Sequence, residues 1–245
     1  MNDPSPIDAL DALGALGSFF ALDRHPVHAS PDGPWQPLSR LLEPAGIRER
    51  IHQVRDALAR SARCEVAGVP WRVAVSVAHL GLVARLVSPA VGALALEIGT
   101  LSLDPAATWW QPVVGGPVPL SVAGDALVRS TADDAGPVIE GVVRTLTMRC
   151  ARESVSPLVL WGNVASAVNG AYSVLASTRP DLSAAAQRHT LGTLRLPALA
   201  GMSNSRPGPD FRRINCCLIY RLSGAREPAA RQVCGDCVLR TADAG

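Results

Sequence analysis

The chain predicts a mainly helical α+β fold with a small antiparallel sheet and a C-terminal cysteine hairpin. Three observations predict it: long stretches with apolar residues at helical spacing, two short apolar runs near the middle bounded by Pro and Trp, and four cysteines gathered between positions 216 and 237. With 48% apolar residues, the 245-residue chain can bury a sizeable core, and its length suits one large domain or one domain with a small appendage. The division falls after residue 205: a helical or mixed domain over 1–205 and a cysteine-bearing subdomain over 206–245.

Each element has its own signal. Ile7, Leu10, Leu13, Leu16, Phe19 and Phe20 give residues 7–22 a helical apolar pattern. Residues 29–37 are proline-rich loop. Residues 38–60 predict one or two helices, with Arg48, Glu49, Arg50, Arg55, Asp56 and Arg60 on an exposed side, and residues 69–84 predict a buried helix. The apolar runs 93–103 and 113–122, separated by Asp104, Pro105 and the stretch from Trp109 to Pro112, predict the antiparallel sheet. Gly136 and Pro137 open a helix through residues 138–150. Residues 157–176 and 182–194 predict two more helices, and residues 202–210, with Asn204, Pro207, Gly208 and Pro209, a linker.

Two stretches are apolar enough to raise the question of a membrane span. Residues 73–96 are broken by His79, Arg85 and Pro89; residues 154–178 carry no charge but contain Pro157, Gly162, Asn163, Asn169 and Gly170. A span needs about 20 predominantly apolar residues, so both predict buried helices, and membrane contact is expected to be peripheral at most. The formal charge of +2 argues against a dedicated nucleic-acid binder. Every basic residue other than histidine is arginine, a bias that genome composition explains, and arginine can grip carboxylates bidentately.

Cys216 and Cys217 are adjacent, and sixteen residues later comes Cys234-Gly235-Asp236-Cys237. Four thiolates in so short a window can hold a metal centre. Three readings compete. Structural zinc usually takes two C-x-x-C units, and adjacent cysteines in an extended strand point to opposite faces, closing poorly on one ion. Disulfides need an oxidising compartment; residues 1–6 show no basic n-region and no cleavage site, so a cytoplasmic location is expected. A [2Fe–2S] cluster shares four thiolates between two irons, which accept two differently spaced pairs more readily than one ion does. On chemistry alone the two-iron reading leads. Residues 217–222 predict a strand, 223–230 a turn-rich tip and 231–233 a returning strand, a hairpin centred near Ala225 and Arg226 that sets Cys217 beside Cys234. Gly235 can take the tight angles of a C-x-x-C turn, with backbone N–H groups aimed at sulfur.

These residues carry a resemblance. The run from Arg213 through Cys216-Cys217-Leu218-Ile219-Tyr220-Arg221, followed by Cys234-Gly235-Asp236-Cys237-Val238-Leu239, resembles the C-terminal signature of the ferric-siderophore reductase (FhuF-like) family. Leu160-Trp161-Gly162-Asn163 and the small-residue run after it are similar to that family's central region. The resemblance implies one [2Fe–2S] cluster ligated by Cys216, Cys217, Cys234 and Cys237, and one-electron reduction of siderophore-bound Fe(III) to Fe(II). It implies as partners a ferric siderophore and an electron-donor protein such as a ferredoxin. The stretch between the cysteine pairs is longer here than that family commonly carries, and the extra residues fit a longer hairpin tip.

Little other chemistry is legible. His25 and His28 read as a loop pair, His52, His79 and His189 are isolated, and Asp133-Asp134 reads as a loop or capping pair. Cys64 and Cys150 read as packing residues. Trp109 and Trp110 read as one core ring and one half-exposed ring, or as an aromatic wall for a flat chelate. No nucleotide-binding motif is present, so electrons are expected from another protein. From Arg206 onward seven arginines face four acids, a basic rim that suits an anionic chelate or acidic donor. Two rivals stand beside the reductase: a non-enzymatic iron–sulfur sensor, although no effector module is recognisable, and a zinc-stapled binding protein.

Overall fold

The computed structural model describes residues 6–128, 133–222 and 233–239. It is mainly helical (52%) with few, short strands, an α+β fold. In chain order the elements are α1 (Pro6–Gly14), β1 (Asp23–His25), β2 (Gln36–Pro37), α2 (Leu38–Leu41), α3 (Pro44–Ala62), α4 (Trp71–Ala95), β3 (Thr100–Leu101), β4 (Trp109–Trp110), β5 (Leu120–Ala123), β6 (Leu127–Val128), α5 (Gly136–Val138), α6 (Arg144–Ala151), α7 (Pro157–Thr178) and α8 (Ser183–Leu194). A π-helical stretch, Ile139–Val143, joins α5 to α6, with a break in helical geometry at Gly141.

The core forms around α4, which is apolar on all sides and is therefore stable only when buried. It packs chiefly on α7 and also on α3 and α8, and every residue from 85 to 95 is buried. The helix continues through Pro89 and ends eleven residues beyond the expected end. Proline costs a hydrogen bond and a clash at that turn, but burial of the turns that follow outweighs it. Gly92 leaves room for α1: a Cβ there would lie 2.8 Å from Phe20 Cδ1 and 3.0 Å from Leu13 Cδ2. Both α4 and α7 have the length and composition of a membrane span, yet 78% and 61% of their most apolar windows are buried inside the fold.

The sheet corrects the sequence reading. It is mixed rather than antiparallel, in the order β1-β5-β4-β2. β1 runs parallel to β5, pairing Asp23 with Ser121 and His25 with Ala123, while β4 lies antiparallel to both β5 and β2. Trp109 and Trp110, read as a spacer, form β4 itself. The run 93–103 contributes instead to the end of α4 and to β3, which pairs with β6 in a separate ribbon. Strands of two to four residues are too short for alternation to show, and the two outer strands come from the proline-rich loop (β2) and from the segment before it (β1). Arg85 ties this layer to the core: from inside α4 its guanidinium donates to Val118 O (2.7 Å), Phe19 O (2.9 Å) and Ala21 O. Burial lowers its pKa to about 10, against the nearby charge of Asp23.

Residues 202–214 are a closed loop rather than an open linker. Ile214 N–H donates to Met202 O (3.1 Å), Asn204 N–H to Arg212 O (3.0 Å), and Ser203 bridges Arg213. The Asn204 side chain accepts from Arg206 and Arg212 N–H and donates to Asp210 O, while Phe211 is fully buried.

Candidate metal centre

The platform for the cysteines is α7. Ser156 caps it by accepting from Leu158 N–H (3.3 Å), and Pro157 starts it where no donor is needed. The helix carries no charge, but Asn163, Ser166 and Asn169 recur every third residue, and all three reach the C-terminal segment. Asn163 accepts from Arg213 Nη1 (2.7 Å) and donates to Ser76 O (3.0 Å) and Ser76 Oγ (3.1 Å) on α4. Ser166 Oγ donates to the Asp236 carboxylate, and Asn169 Oδ1 accepts from Gly208 N–H (2.7 Å). Gly162 leaves the space in which Arg213 and Asn215 lie; an added Cβ would only touch them, at 3.8–3.9 Å.

Arg213 is the hinge between platform and thiols. It is 1% exposed, its backbone N–H donates to Asp236 O (3.1 Å), and Nη2 donates to Cys234 Sγ at 2.7 Å. Burial disfavours its charge, but Cys217 and Cys234 outweigh that and raise its pKa. Its Nε is buried with no partner among the described residues, a spare donor beside the sulfurs.

The four sulfurs form two pairs. Cys216 Sγ lies 3.6 Å from Cys237 Sγ, and Cys217 Sγ lies 3.6 Å from Cys234 Sγ. All four are free thiols; Cys217 and Cys237 are buried, Cys216 and Cys234 half-buried. Backbone N–H groups point at sulfur as well: Leu218 N–H at Cys216 and Leu239 N–H at Cys237, each at 3.4 Å. The residue in the left-handed region is Leu218 (φ 70°) and not Gly235. A non-glycine there costs of order 1 kcal/mol and persists when the surroundings dictate it; here it aims the N–H back at Cys216. After it the chain makes a 3-10 turn, Ile219–Arg221, where a strand was expected. The returning strand falls largely outside the described residues.

Two thiolates about 2.3 Å from one tetrahedral metal stand roughly 3.8 Å apart, so each pair has nearly the bite that one ion needs. No three His, Cys, Asp or Glu groups converge among the described residues. The donor set is four thiolates in two pairs, which a [2Fe–2S] cluster can take as two ligands per iron. No protein-family model matches the chain, and no curated protein does.

The thiols differ in acidity. Cys217 falls to about 5, because Cys234 hydrogen-bonds to it and Arg213 adds positive charge, with burial opposing. Cys234 is pushed up, first by that shared hydrogen bond and then by burial. Burial also raises Cys216, to about 11, with Leu218 N–H opposing.

The other sequence candidates lie elsewhere in the fold. His25 is buried in β1 and bonded to Ser121 Oγ (2.8 Å), while His28 is exposed. Asp134 Oδ1 accepts from Gly136 N–H (2.8 Å) and caps the α5 turn, leaving Asp133 and Asp134 no catalytic geometry. Cys150 is buried and its pKa rises to about 12, chiefly through burial. Cys64 is exposed rather than packed, since the chain turns out at Arg63 (φ 52°). Trp110 is in the core and lines a polar cavity of about 220 Å³ with Arg40, Glu49 and Arg50; Trp109 is half-buried. Sequence reasoning missed Ser76, Asn163, Ser166 and Asn169 as anchors. The signal was present: polar residues at three-residue spacing on an otherwise apolar helix form one stripe.

Proposed function

We propose that the chain is a ferric-siderophore reductase, passing single electrons through a [2Fe–2S] centre to chelated Fe(III), which is its substrate. The observation that carries this reading is the two thiol pairs, each 3.6 Å apart, beside a buried arginine. Cys216, Cys217, Cys234 and Cys237 would hold the cluster. When bound, it supplies a one-electron carrier, and everything else falls to the chain. Arg213 and the N–H groups of Leu218 and Leu239 neutralise thiolate charge, and α7 fixes their positions. Hard oxygen donors hold Fe(III) far more tightly than Fe(II), so one electron frees the metal. No bond to the substrate need form, and no acid–base constellation is required.

Docking has support in the surface around the cysteines. Ile214, Val233, Val238 and Leu239 leave large apolar side chains exposed, and the same segment carries the exposed Arg206 and Arg221 and the half-buried Arg212. Such a mixed surface suits an anionic chelate with an organic scaffold, or an acidic donor protein such as a ferredoxin in the cytoplasm. Arg226 and Arg231, expected on the hairpin tip, lie outside the described residues.

The test is turnover. Reduced protein mixed with a ferric siderophore is expected to be reoxidised while a ferrous chelator traps Fe(II). A ferredoxin with its reductase should sustain the cycle and NADPH alone should not. Failure of the reduced protein to transfer its electron to any ferric siderophore would refute the reductase reading, and turnover with NADPH alone would refute the need for a donor protein.

A further inference from the structure

The two thiol pairs are not equivalent. We propose that Cys216 with Cys237 holds one iron and Cys217 with Cys234 the other, and that Arg213 makes the Cys217/Cys234 iron the one that takes the electron. This rests on the two-iron reading above and goes beyond it by assigning each ligand to an iron and each iron a role.

The pairing follows from distance. The sulfurs within each pair are 3.6 Å apart, close to what one tetrahedral iron demands. Neighbours in sequence, Cys216 and Cys217, belong to different pairs, because consecutive side chains leave the backbone in different directions. The left-handed Leu218 then turns the chain back over Cys216. Each iron therefore takes one ligand from the adjacent cysteines and one from the C-x-x-C turn, which binds the two stretches together.

The asymmetry follows from charge. In a reduced [2Fe–2S] centre one iron is ferrous and the other stays ferric. A one-electron donor is oxidised, one ferric iron is reduced, and the electron later leaves for the chelated Fe(III). Hydrogen bonds to the thiolates and nearby positive charge favour the reduced state of the iron they serve. The Cys216/Cys237 pair receives two neutral backbone N–H contacts at 3.4 Å, and the one arginine charge felt at Cys216, that of Arg221, is exposed to solvent. The other pair receives a guanidinium at 2.7 Å, from an arginine 1% exposed. A charge-assisted bond is roughly twice as strong as a neutral one, and a buried charge is poorly screened. The arginine outweighs the two amides. It is also held in place: Asn163 fixes Nη1 from α7 and is itself fixed by Ser76 from α4. Arg212, next in sequence, is half-buried and its side chain bonds to the carbonyls of Pro209 and Phe211, so it serves as the control.

Paramagnetic NMR of the dithionite-reduced protein tests this without a variant. Cysteine β-protons on a ferric site and on a ferrous site shift in opposite senses with temperature, and each signal can be assigned through contacts to neighbouring residues. The ferrous signature is expected on Cys217 and Cys234 together. Its appearance on Cys216 and Cys237, or on any mixed pair, would overturn the assignment while leaving the two-iron reading intact. Protein that binds no iron under anaerobic reconstitution would instead defeat the reading beneath it. As a second measurement, Arg213→Gln should make reduction at least tenfold less favourable, a fall of about 59 mV per tenfold for one electron. Arg212→Gln should leave the potential unchanged. Equal potentials for the two variants would refute the role of Arg213.

Discussion

Along α4 and α7 most of the buried groups are apolar, with a few polar ones such as Ser76, His79, Arg85 and Asn163 among them, whereas in the stretch that carries the cysteines they are thiol sulfur, one arginine and the single ring of Phe211. The helical body has a core to fold around. The cysteine segment has little apolar burial of its own and leans on a polar stripe of α7: Asn163 to Arg213, Ser166 to Asp236, Asn169 to Gly208. Burial of apolar area stabilises without regard to direction, while hydrogen bonds and metal–thiolate bonds fix geometry. The body therefore supplies stability and the segment supplies a precise set of donors, joined through Asn163 and Arg213.

The largest expected effect separates the two regions outright. Replacing Cys216, Cys217, Cys234 or Cys237 by Ser should abolish or severely weaken iron binding, while far-UV circular dichroism retains the helical signal. Cys64→Ser and Cys150→Ser should keep the iron. Collapse of the helical signal in the four ligand variants would mean the body depends on the centre for its fold.

Next comes the joint between the regions. Asn163→Leu strands a guanidinium donor and the Ser76 hydroxyl in the interior, and a lost buried bond to a charged partner costs about 2–3 kcal/mol. Urea unfolding should show that loss, and the variant should release iron more readily than the parent. An unchanged urea midpoint would break the link between α7 and the cysteines.

A pH effect of similar size belongs to the body alone. His79 is completely buried on α4, bonded through Nε2 to Thr147 Oγ1 (3.0 Å), and burial lowers its pKa from 6.5 to about 3. The unfolded chain takes up a proton below about pH 6.5 that the folded chain refuses until about pH 3. Stability is therefore full above pH 6.5 and falls as pH drops towards 3, by about 2 kcal/mol between pH 7.5 and 5. His79→Leu should flatten that slope; an unchanged slope would place the acid sensitivity elsewhere. The smallest effect is Ser166→Ala, which removes one half-buried bond to Asp236 and should cost about 1 kcal/mol, read as a small shift in the urea midpoint.

The body was largely legible because long helices repeat their signal. The apolar spacing of α3, α7 and α8 locates them within a few residues, since a periodic face of many residues survives local noise. Pro89 misled because local propensity argues for a stop and tertiary burial overrides it. The strands were poorly legible: β4 is two tryptophans, and although β5 falls in an apolar run that was expected in the sheet, β2 lies in a loop some seventy residues upstream. In the cysteine segment the spacing pointed to the right neighbours, since Cys217 and Cys234 do meet. It could not show that Cys216 pairs with Cys237, nor that residues 219–221 form a 3-10 turn, because both depend on the left-handed Leu218, which no propensity favours. The role of Arg213 was hidden for a similar reason. Seven arginines beyond position 205 look alike in sequence, and only contact with Asn163 and Cys234 distinguishes this one from Arg212.

Two thiol pairs that hold two irons leave a direct chemical and spectroscopic signature. Metal and sulfide analysis of anaerobically purified protein, with visible and EPR spectra before and after dithionite, tests for it most directly. About two irons and two sulfides per chain are expected, with a red-brown protein that bleaches on reduction and a one-electron EPR signal in the reduced state. Stoichiometric zinc with neither iron nor sulfide would contradict the two-iron reading.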